Sequence, residues 1–309
     1  MAKTDYQLII LGGGPAGLTA GLYAARDRLQ VLLVEKGVVG GQVLVTDWID
    51  NYPGFPDGLS GSELVEKMAA QATRFGLETK NGNVVKVALS EEIKRLTLES
   101  GEELQSRALI ICTGARPNKL GIPGEEKLTG KGVSYCATCD GPFFRDQEIL
   151  VVGGGDTAIQ EADFLTKFAS KVTVIHRRDT LRATRVLQEK AFANQRIEFI
   201  WNANVIAIEG EKEVERVRVL DIKGEEKEIA ANGIFILIGT IPNNEMLPVE
   251  QLGVDQYGFI KTDNEMRTRV PGVMAAGDIR SKTVRQVVNG AGEGAVAAIA
   301  AEHYLSGLG

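Results

Sequence analysis

The chain has 309 residues, 44% apolar and 25% charged, the balance of a soluble protein long enough for two domains with proper cores. A formal net charge of -6 argues against a general affinity for nucleic acid or for an anionic membrane surface. The longest apolar stretch, around Ile234 to Ile241, is far too short to span a bilayer, and the first residues, with Lys3 and Asp5, lack the pattern of a signal peptide. With three cysteines and no export signal, the expectation is a reducing cytoplasm, where a C-x-x-C is more often catalytic than structural.

Taken in order, Gln7-Leu8-Ile9-Ile10-Leu11 reads as a buried strand running into Gly12-Gly13-Gly14-Pro15-Ala16-Gly17. A small-residue helix follows from Leu18 to Arg26. A second strand runs from Gln30 to Val34 and ends in Glu35, 23 residues after Gly12. Strand, Gly-x-Gly-x-x-Gly, helix, strand and acid in this register are a dinucleotide fingerprint. Gly12 permits the tight turn, Gly14 lets backbone N–H groups approach a pyrophosphate, and Gly17 allows close helix–sheet packing. Glu35 can accept both ribose hydroxyls and would repel a 2′-phosphate. Gly40-Gly41-Gln42 and Asn51-Tyr52-Pro53-Gly54-Phe55-Pro56 are loops, and Ser60 to Phe75 has the period of an amphipathic helix. Strands are expected between Asn83 and Leu104, turning at Ser100-Gly101. Another buried strand, Ala108 to Cys112, exits through Thr113-Gly114-Ala115-Arg116-Pro117-Asn118. Cys112 inside that run reads as inert core packing.

Cys136-Ala137-Thr138-Cys139-Asp140 comes next. A bridge across so short a loop removes little unfolded-state entropy, so it is a poor staple and a good redox pair, and the following acid suits a proton relay. The spacing also fits half a zinc site, which would need two further ligands; Cys112, His176 and His303 are the remaining cysteine and histidines. Inert thiols are the third reading. The fingerprint then returns: a strand from Glu148 to Val152, Gly153-Gly154-Gly155-Asp156-Thr157-Ala158 opening a helix, and a strand from Lys171 to Ile175. His176 lies 23 residues after Gly153, the interval separating Glu35 from Gly12, so the chain carries an internal duplication. Where the first copy has an acid, the second has His176-Arg177-Arg178 with Arg182 close behind. Guanidinium groups there suit a 2′-phosphate, which points to NADP; a solvated basic face or a nucleic-acid patch is the plainer reading, and the position at the end of the second strand argues against it. Gly114 to Asn118 is echoed 125 residues later by Gly239-Thr240-Ile241-Pro242-Asn243, so the second copy reads as an insertion between two crossings. Glu245 to Pro271 supplies loop and short strands. A last strand ends in Ala276-Gly277-Asp278, where the Asp can accept from a polyol chain. Arg285-Gln286 opens a long helix, Val287 to Tyr304, whose N-terminus can stabilise negative charge on a bound ring.

The order of these motifs resembles the low-molecular-weight thioredoxin reductases, two-domain members of the pyridine nucleotide–disulfide oxidoreductases, over essentially the whole chain. The resemblance implies an α/β fold of two Rossmann-like dinucleotide-binding domains. An NADP domain (117–243) carrying the C-x-x-C would be inserted into an FAD domain (1–116 and 244–309). It implies FAD at Gly12, Gly14, Pro15, Ala16, Gly17, Glu35, Gly41, Gln42, Asn51, Thr113, Gly114, Gly277, Asp278, Arg285 and Gln286. NADP is implied at Gly153, Gly155, Asp156, Thr157, Ala158, His176, Arg177, Arg178 and Arg182, with no metal. Electrons would pass from NADPH through FAD to the Cys136–Cys139 disulfide and on to thioredoxin. Cys139 would face the flavin, Cys136 attack the protein substrate, and Asp140 serve proton transfer. The family rotates its NADP domain about two short connections, here near Ala115–Asn118 and Thr240–Asn244, and works as a homodimer. Two alternatives remain: the same electron path with another acceptor, such as a peroxiredoxin or a glutaredoxin-like protein, and a non-catalytic NADP-binding redox sensor.

Overall fold

The structure is a computed structural model that describes residues 5–46, 48–90 and 92–307. Lys3, part of the signal-peptide expectation, lies outside them. The chain divides into two units, Met1–Arg116 with Ile241–Gly309, and Pro117–Thr240.

In the first unit β1 (Tyr6–Leu11) leads through the glycine loop to α1 (Pro15–Arg26) and β2 (Val31–Glu35). The helix starts three residues before the expected Leu18 because Pro15 occupies its first turn, where a missing N–H costs nothing. A 3-10 turn at Gly41–Val45 precedes α2 (Gly61–Arg74), which is capped by Ser60 accepting the Glu63 N–H at 3.2 Å. Then come β3 (Glu78–Asn81), β4 (Val84–Leu89), β5 (Lys94–Leu98), β6 (Glu103–Ile111) and β7 (Ala115–Pro117).

The second unit opens with β8 (Val133–Ser134), the single-turn helix α3 (Ala137–Asp140) and β9 (Glu148–Val152). It continues through α4 (Asp156–Leu165), β10 (Lys171–His176), α5 (Arg185–Ala193) and β11 (Ile197–Trp201). Three further strands, β12 (Ala203–Glu209), β13 (Arg216–Asp221) and β14 (Glu226–Ala230), precede β15 (Gly233–Ile236) and β16 (Thr240–Pro242). Back in the first unit are the short helix α6 (Val249–Leu252), β17 (Val273–Ala275) and the long α7 (Val287–Ser306). Between α6 and β17 the chain makes isolated bridges, Val254 with Ile260 and Arg267 with Met274, where short strands were expected.

The first sheet has the order β3-β2-β1-β6-β5-β4. β6 changes neighbour along its length: Glu103 to Ser106 pair antiparallel with β5, while Leu109 to Ile111 pair parallel with β17. Alternate residues of β1 face opposite sides, which is why its pattern is continuously apolar. Leu8 and Ile10 pack with Ala20, Leu64 and Ala297 of the helices, whereas Ile9 and Leu11 pack with Leu96, Leu252 and Ile260. The second sheet, β11-β10-β9-β15-β8, repeats this plan: β9 pairs parallel with β10 and β15, as β1 does with β2 and β6. One of its faces is covered by α4 and α5, the other by the antiparallel sheet β12-β13-β14. Val217 and Val219 of β13 enter that core, while Arg216 and Arg218 point outward to Glu209 and Glu226. α5 and this small sheet are elements that the sequence reading did not anticipate. Charged alternation in strands covering only one face gives a weak signal beside the apolar runs.

The two crossings pair as a two-stranded sheet of β7 and β16. Asn118 N–H donates to Gly239 O at 2.9 Å and Asn243 N–H to Gly114 O at 3.0 Å. Among the described residues no helix is long and apolar enough to cross a membrane.

Candidate active site

Cys136 and Cys139 are joined as a disulfide, with their Cα atoms 5.3 Å apart. Cys136 is the N-cap of α3, and its Sγ accepts the Cys139 N–H at 3.2 Å. A donor aimed at that sulfur favours a thiolate once the bridge opens. Ser134, the last residue of β8, is buried; its Oγ accepts the Cys136 N–H at 3.1 Å and donates to Asp140 Oδ2 at 2.6 Å. From α4, the Glu161 carboxylate accepts the Ala137 N–H at 3.1 Å. Burial pushes the Glu161 carboxyl up, and this N–H pulls it back. Tyr135 donates its hydroxyl to Glu125 at 2.9 Å, and Glu125 also accepts from Leu120 and Gly121 N–H at 2.9 and 2.7 Å. Glu125 is only 2% exposed, and these donors satisfy it where water cannot. Burial, reinforced by Glu125, pushes the Tyr135 phenol up, so it stays a donor.

The two glycine loops obey the same sterics. Gly12 adopts φ +108°, and a Cβ there would run into the Cys112 carbonyl. A Cβ on Gly17 would strike the Gly12 carbonyl. At Gly14 and Gly155 a Cβ would meet nothing within 4 Å, and these residues are the N-caps of α1 and α4 without any side-chain cap. Each loop therefore offers an open cradle at the head of a helix, where N–H donors and the positive dipole end suit a phosphate. The strand-end residues sit on the second glycine of each triplet. Glu35 Oε2 accepts the Gly13 N–H at 2.7 Å, and the His176 ring fills the space a Gly154 side chain would need.

His176 Nε2 lies 3.1 Å from Thr180 O. Burial lowers its pKa, and Arg182 and Arg177 lower it further against the opposing Thr180 contact. A cavity of about 270 Å³ is lined by Gly153, Gly154, His176, Arg177, Arg182 and Lys119, among others. Arg178 does not line it; its carbonyl receives the Asn202 N–H instead. Lys119 was missed in the sequence because it sits far from the fingerprint, just after a crossing. Of the fingerprint's remaining residues, Asp156 accepts the Thr184 N–H at 2.6 Å, Thr157 is exposed and Ala158 is buried in the core.

In the first unit Gly12 to Gly17, Thr113-Gly114 and Gly277-Asp278 follow the C-terminal ends of the parallel strands β1, β6 and β17, where open α/β sheets bind ligands. Gly277 N–H donates to Glu293 at 2.8 Å; Glu293 pairs with Arg280 at 2.7 Å and Lys282 at 3.3 Å, and Lys282 reaches Asp278 at 3.2 Å. Glu293 was a missed residue, and its signal was an acid set among the glycines and alanines of a small-residue helix. The Arg285 guanidinium stands 4.3 Å from the Phe259 ring centroid and donates to Lys282 O at 2.9 Å. Its Nε and Thr113 Oγ1 are buried and have no hydrogen-bond partner among the described residues. Asn51 donates to Gln286 at 3.2 Å, Gln42 donates to the Ala115 carbonyl, and a Cβ on Gly41 would come within 3.3 Å of Gly14 Cα.

Two units, each sending a glycine loop from a parallel strand into a helix, with a two-residue-spaced disulfide in the second, define a dinucleotide-using disulfide oxidoreductase. The chain belongs to the pyridine nucleotide-disulphide oxidoreductase family, whose family model matches residues 6–294. Membership implies the use of a flavin and a pyridine nucleotide. The chain is similar to a thioredoxin reductase of Bacillus subtilis (strain 168), 46% identical over 98% of this chain and 96% of that one. It is 47% identical to a thioredoxin reductase of Streptomyces clavuligerus, over 97% of this chain and 94% of the other. The crystal structure of thioredoxin reductase from Streptococcus pyogenes MGAS5005 superposes with a TM-score of 0.93 at 46% identity, covering 98% of both chains.

Proposed function

We propose that the protein is a thioredoxin-disulfide reductase that draws electrons from NADPH through FAD and the Cys136–Cys139 pair, acting as a homodimer in the cytoplasm. The observation that carries this reading is the bonded Cys136–Cys139 pair followed by Asp140, in a chain similar from end to end to proteins named thioredoxin reductase. Residues 1–116 and 244–309 would form the FAD domain and 117–243 the NADP domain; the compact units divide three residues earlier, after Thr240, which leaves Ile241 to Asn243 with the first unit.

Two orphaned buried atoms, Thr113 Oγ1 and Arg285 Nε, and the open cradle at Gly14 fit a bound FAD. Gly12, Gly14, Pro15, Ala16 and Gly17 would carry its pyrophosphate, Glu35 its ribose and Asp278 its polyol, with Gly41, Gln42, Asn51, Gly114, Gly277 and Gln286 around the ring. When bound, FAD supplies two-electron transfer between a nicotinamide and a disulfide. Gly153, Gly155, Asp156, Thr157 and Ala158 would cradle the NADP pyrophosphate. Arg177 and Arg182, with Arg178 beside them in the chain, would grip the 2′-phosphate by charge-assisted bonds over the neutral His176 ring.

The chain's own chemistry follows from the dithiol form. The Cys136 thiolate attacks one sulfur of the substrate disulfide, the substrate S–S bond breaks, and Asp140 gives its proton to the departing sulfur. Cys139 then passes its proton to Asp140 and attacks Cys136 Sγ. This restores the intramolecular disulfide and releases the second substrate sulfur, which takes a proton from water. Two electrons leave the dithiol and two substrate thiols form.

The expected result is a yellow protein that oxidises NADPH only with oxidised thioredoxin present and loses this in Cys136→Ser. Arg177→Ala with Arg182→Ala should raise KM for NADPH by about 10- to 100-fold, the value of charged hydrogen bonds, and leave NADH nearly unaffected. A colourless protein that cannot be reconstituted with flavin, or equal wild-type rates with NADH, would contradict the assignment.

A further inference from the structure

The acid of the C-x-x-C-D turn is not held by the turn alone. Ser134 lies outside the motif, on the edge strand β8, where Phe235 of β15 pairs with it, and it is 4% exposed. Its hydroxyl has one proton and three neighbours: Asp140 Oδ2 at 2.6 Å, the Cys136 carbonyl at 3.4 Å and the Cys136 N–H at 3.1 Å. The first distance is that of a charge-assisted O–H···O bond and the second is at the limit, so the proton goes to the carboxylate. A lone pair of the same oxygen takes the amide of the cysteine that would attack. One buried hydroxyl thus ties the attacking residue to the acid, from a strand rather than from the helix that carries the acid.

We propose that Ser134 is a positioning residue of the dithiol step. By fixing Asp140 Oδ2 and the Cys136 amide together, it orients the carboxyl that protonates the departing substrate sulfur. The inference rests on the reading of Asp140 as the proton-transfer acid. In the step it serves, the bond between Cys136 Sγ and one substrate sulfur forms, the substrate S–S bond breaks with its electron pair leaving on the other sulfur, and the Asp140 proton ends there. Removing the hydroxyl takes one donor from Asp140 Oδ2 and the acceptor from the Cys136 amide, and the link that aligns the carboxyl with the attacking cysteine is lost.

The test uses the full-length, flavin-loaded protein in rapid mixing. Ser134→Ala should slow oxidation of the dithiol by thioredoxin about 10- to 30-fold, a fraction of what general acid catalysis supplies, while flavin bleaching by NADPH keeps its rate. With an aryl disulfide such as 5,5′-dithiobis(2-nitrobenzoate), whose leaving thiolate needs no proton, the same variant should match wild type. In an Asp140→Asn background, Ser134→Ala should add less than about twofold, because the two residues act as one unit. Ser134→Thr, which keeps the hydroxyl, should return to within about threefold of wild type. Equal slowing with the aryl disulfide, additive losses in the double variant, or a Thr variant as slow as Ala would overturn the proposal. So would an unchanged rate in Ser134→Ala. If the wild type fails with thioredoxin yet reduces alkyl disulfides, the proposed acceptor falls, and the alkyl-against-aryl comparison still decides on Ser134.

Discussion

Cys112, Cys136 and Cys139 put one chemical group into two kinds of environment. Cys112 is buried in the core of the first unit, and desolvation pushes its thiol far up, so it stays protonated and inert. The other two sit partly exposed on a turn whose amide is aimed at sulfur. The same logic of burial governs His176, which is held neutral beneath the second glycine loop. Its ordinary value is 6.5, and burial depresses it in the folded protein. The unfolded chain therefore binds the proton first. The stability that His176 contributes is fully present above that value and drains away as pH falls through it toward the lower folded value. Thermal unfolding of the wild type should decline more steeply from pH 7 to 5.5 than that of His176→Asn. Parallel slopes for the two proteins would remove this role.

At the scale of elements, the close approach of α1 and α7 depends on glycine at one position and not at a neighbouring one. A Cβ on Gly294 would strike the Ala16 carbonyl, whereas a Cβ on Gly292 would meet nothing within 4 Å. Gly294→Val should cost on the order of 1–3 kcal/mol or more through overpacking. Gly292→Ala should add about 0.5–1 kcal/mol through helix propensity, both read from urea midpoints. The strands and loops that duplicate were legible in the sequence because their causes are local. An apolar run buried on both faces and a glycine needed for a tight turn are properties of a few consecutive residues. Ser134 and Glu161 were not legible. A serine ending a two-residue strand and a glutamate on an amphipathic helix are ordinary, and their partners, 6 and 24 residues away, are chosen by packing. The arginine cluster was legible as a group but not in its division, since only the folded chain separates Arg177 and Arg182 from Arg178.

At the scale of the whole molecule, α1 and α7 leave Tyr23, Val288, Val296 and Ile299 between 37% and 44% exposed, a group of large apolar side chains on two helices. Tyr23 and Ile299 line one open cavity with Arg26, Asp27 and Ala298, and exposed apolar surface of this kind suits the proposed homodimer. Light scattering should give twice the mass of the chain, and Ile299→Glu should halve it; a monomeric wild type would end the dimer proposal. The strands β7 and β16 carry a different consequence. Because the middle of the chain departs and returns along two hydrogen-bonded neighbours, its 124 residues from Pro117 to Thr240 behave as a cassette. Its length and interior can drift, or be traded for another lobe with adjoining ends, without altering the register of the sheet that frames it. On the proposed assignment, selection on an electron-donor site in the cassette and selection on a flavin site in the frame can proceed almost independently, because the chain passes between them along this pair of strands.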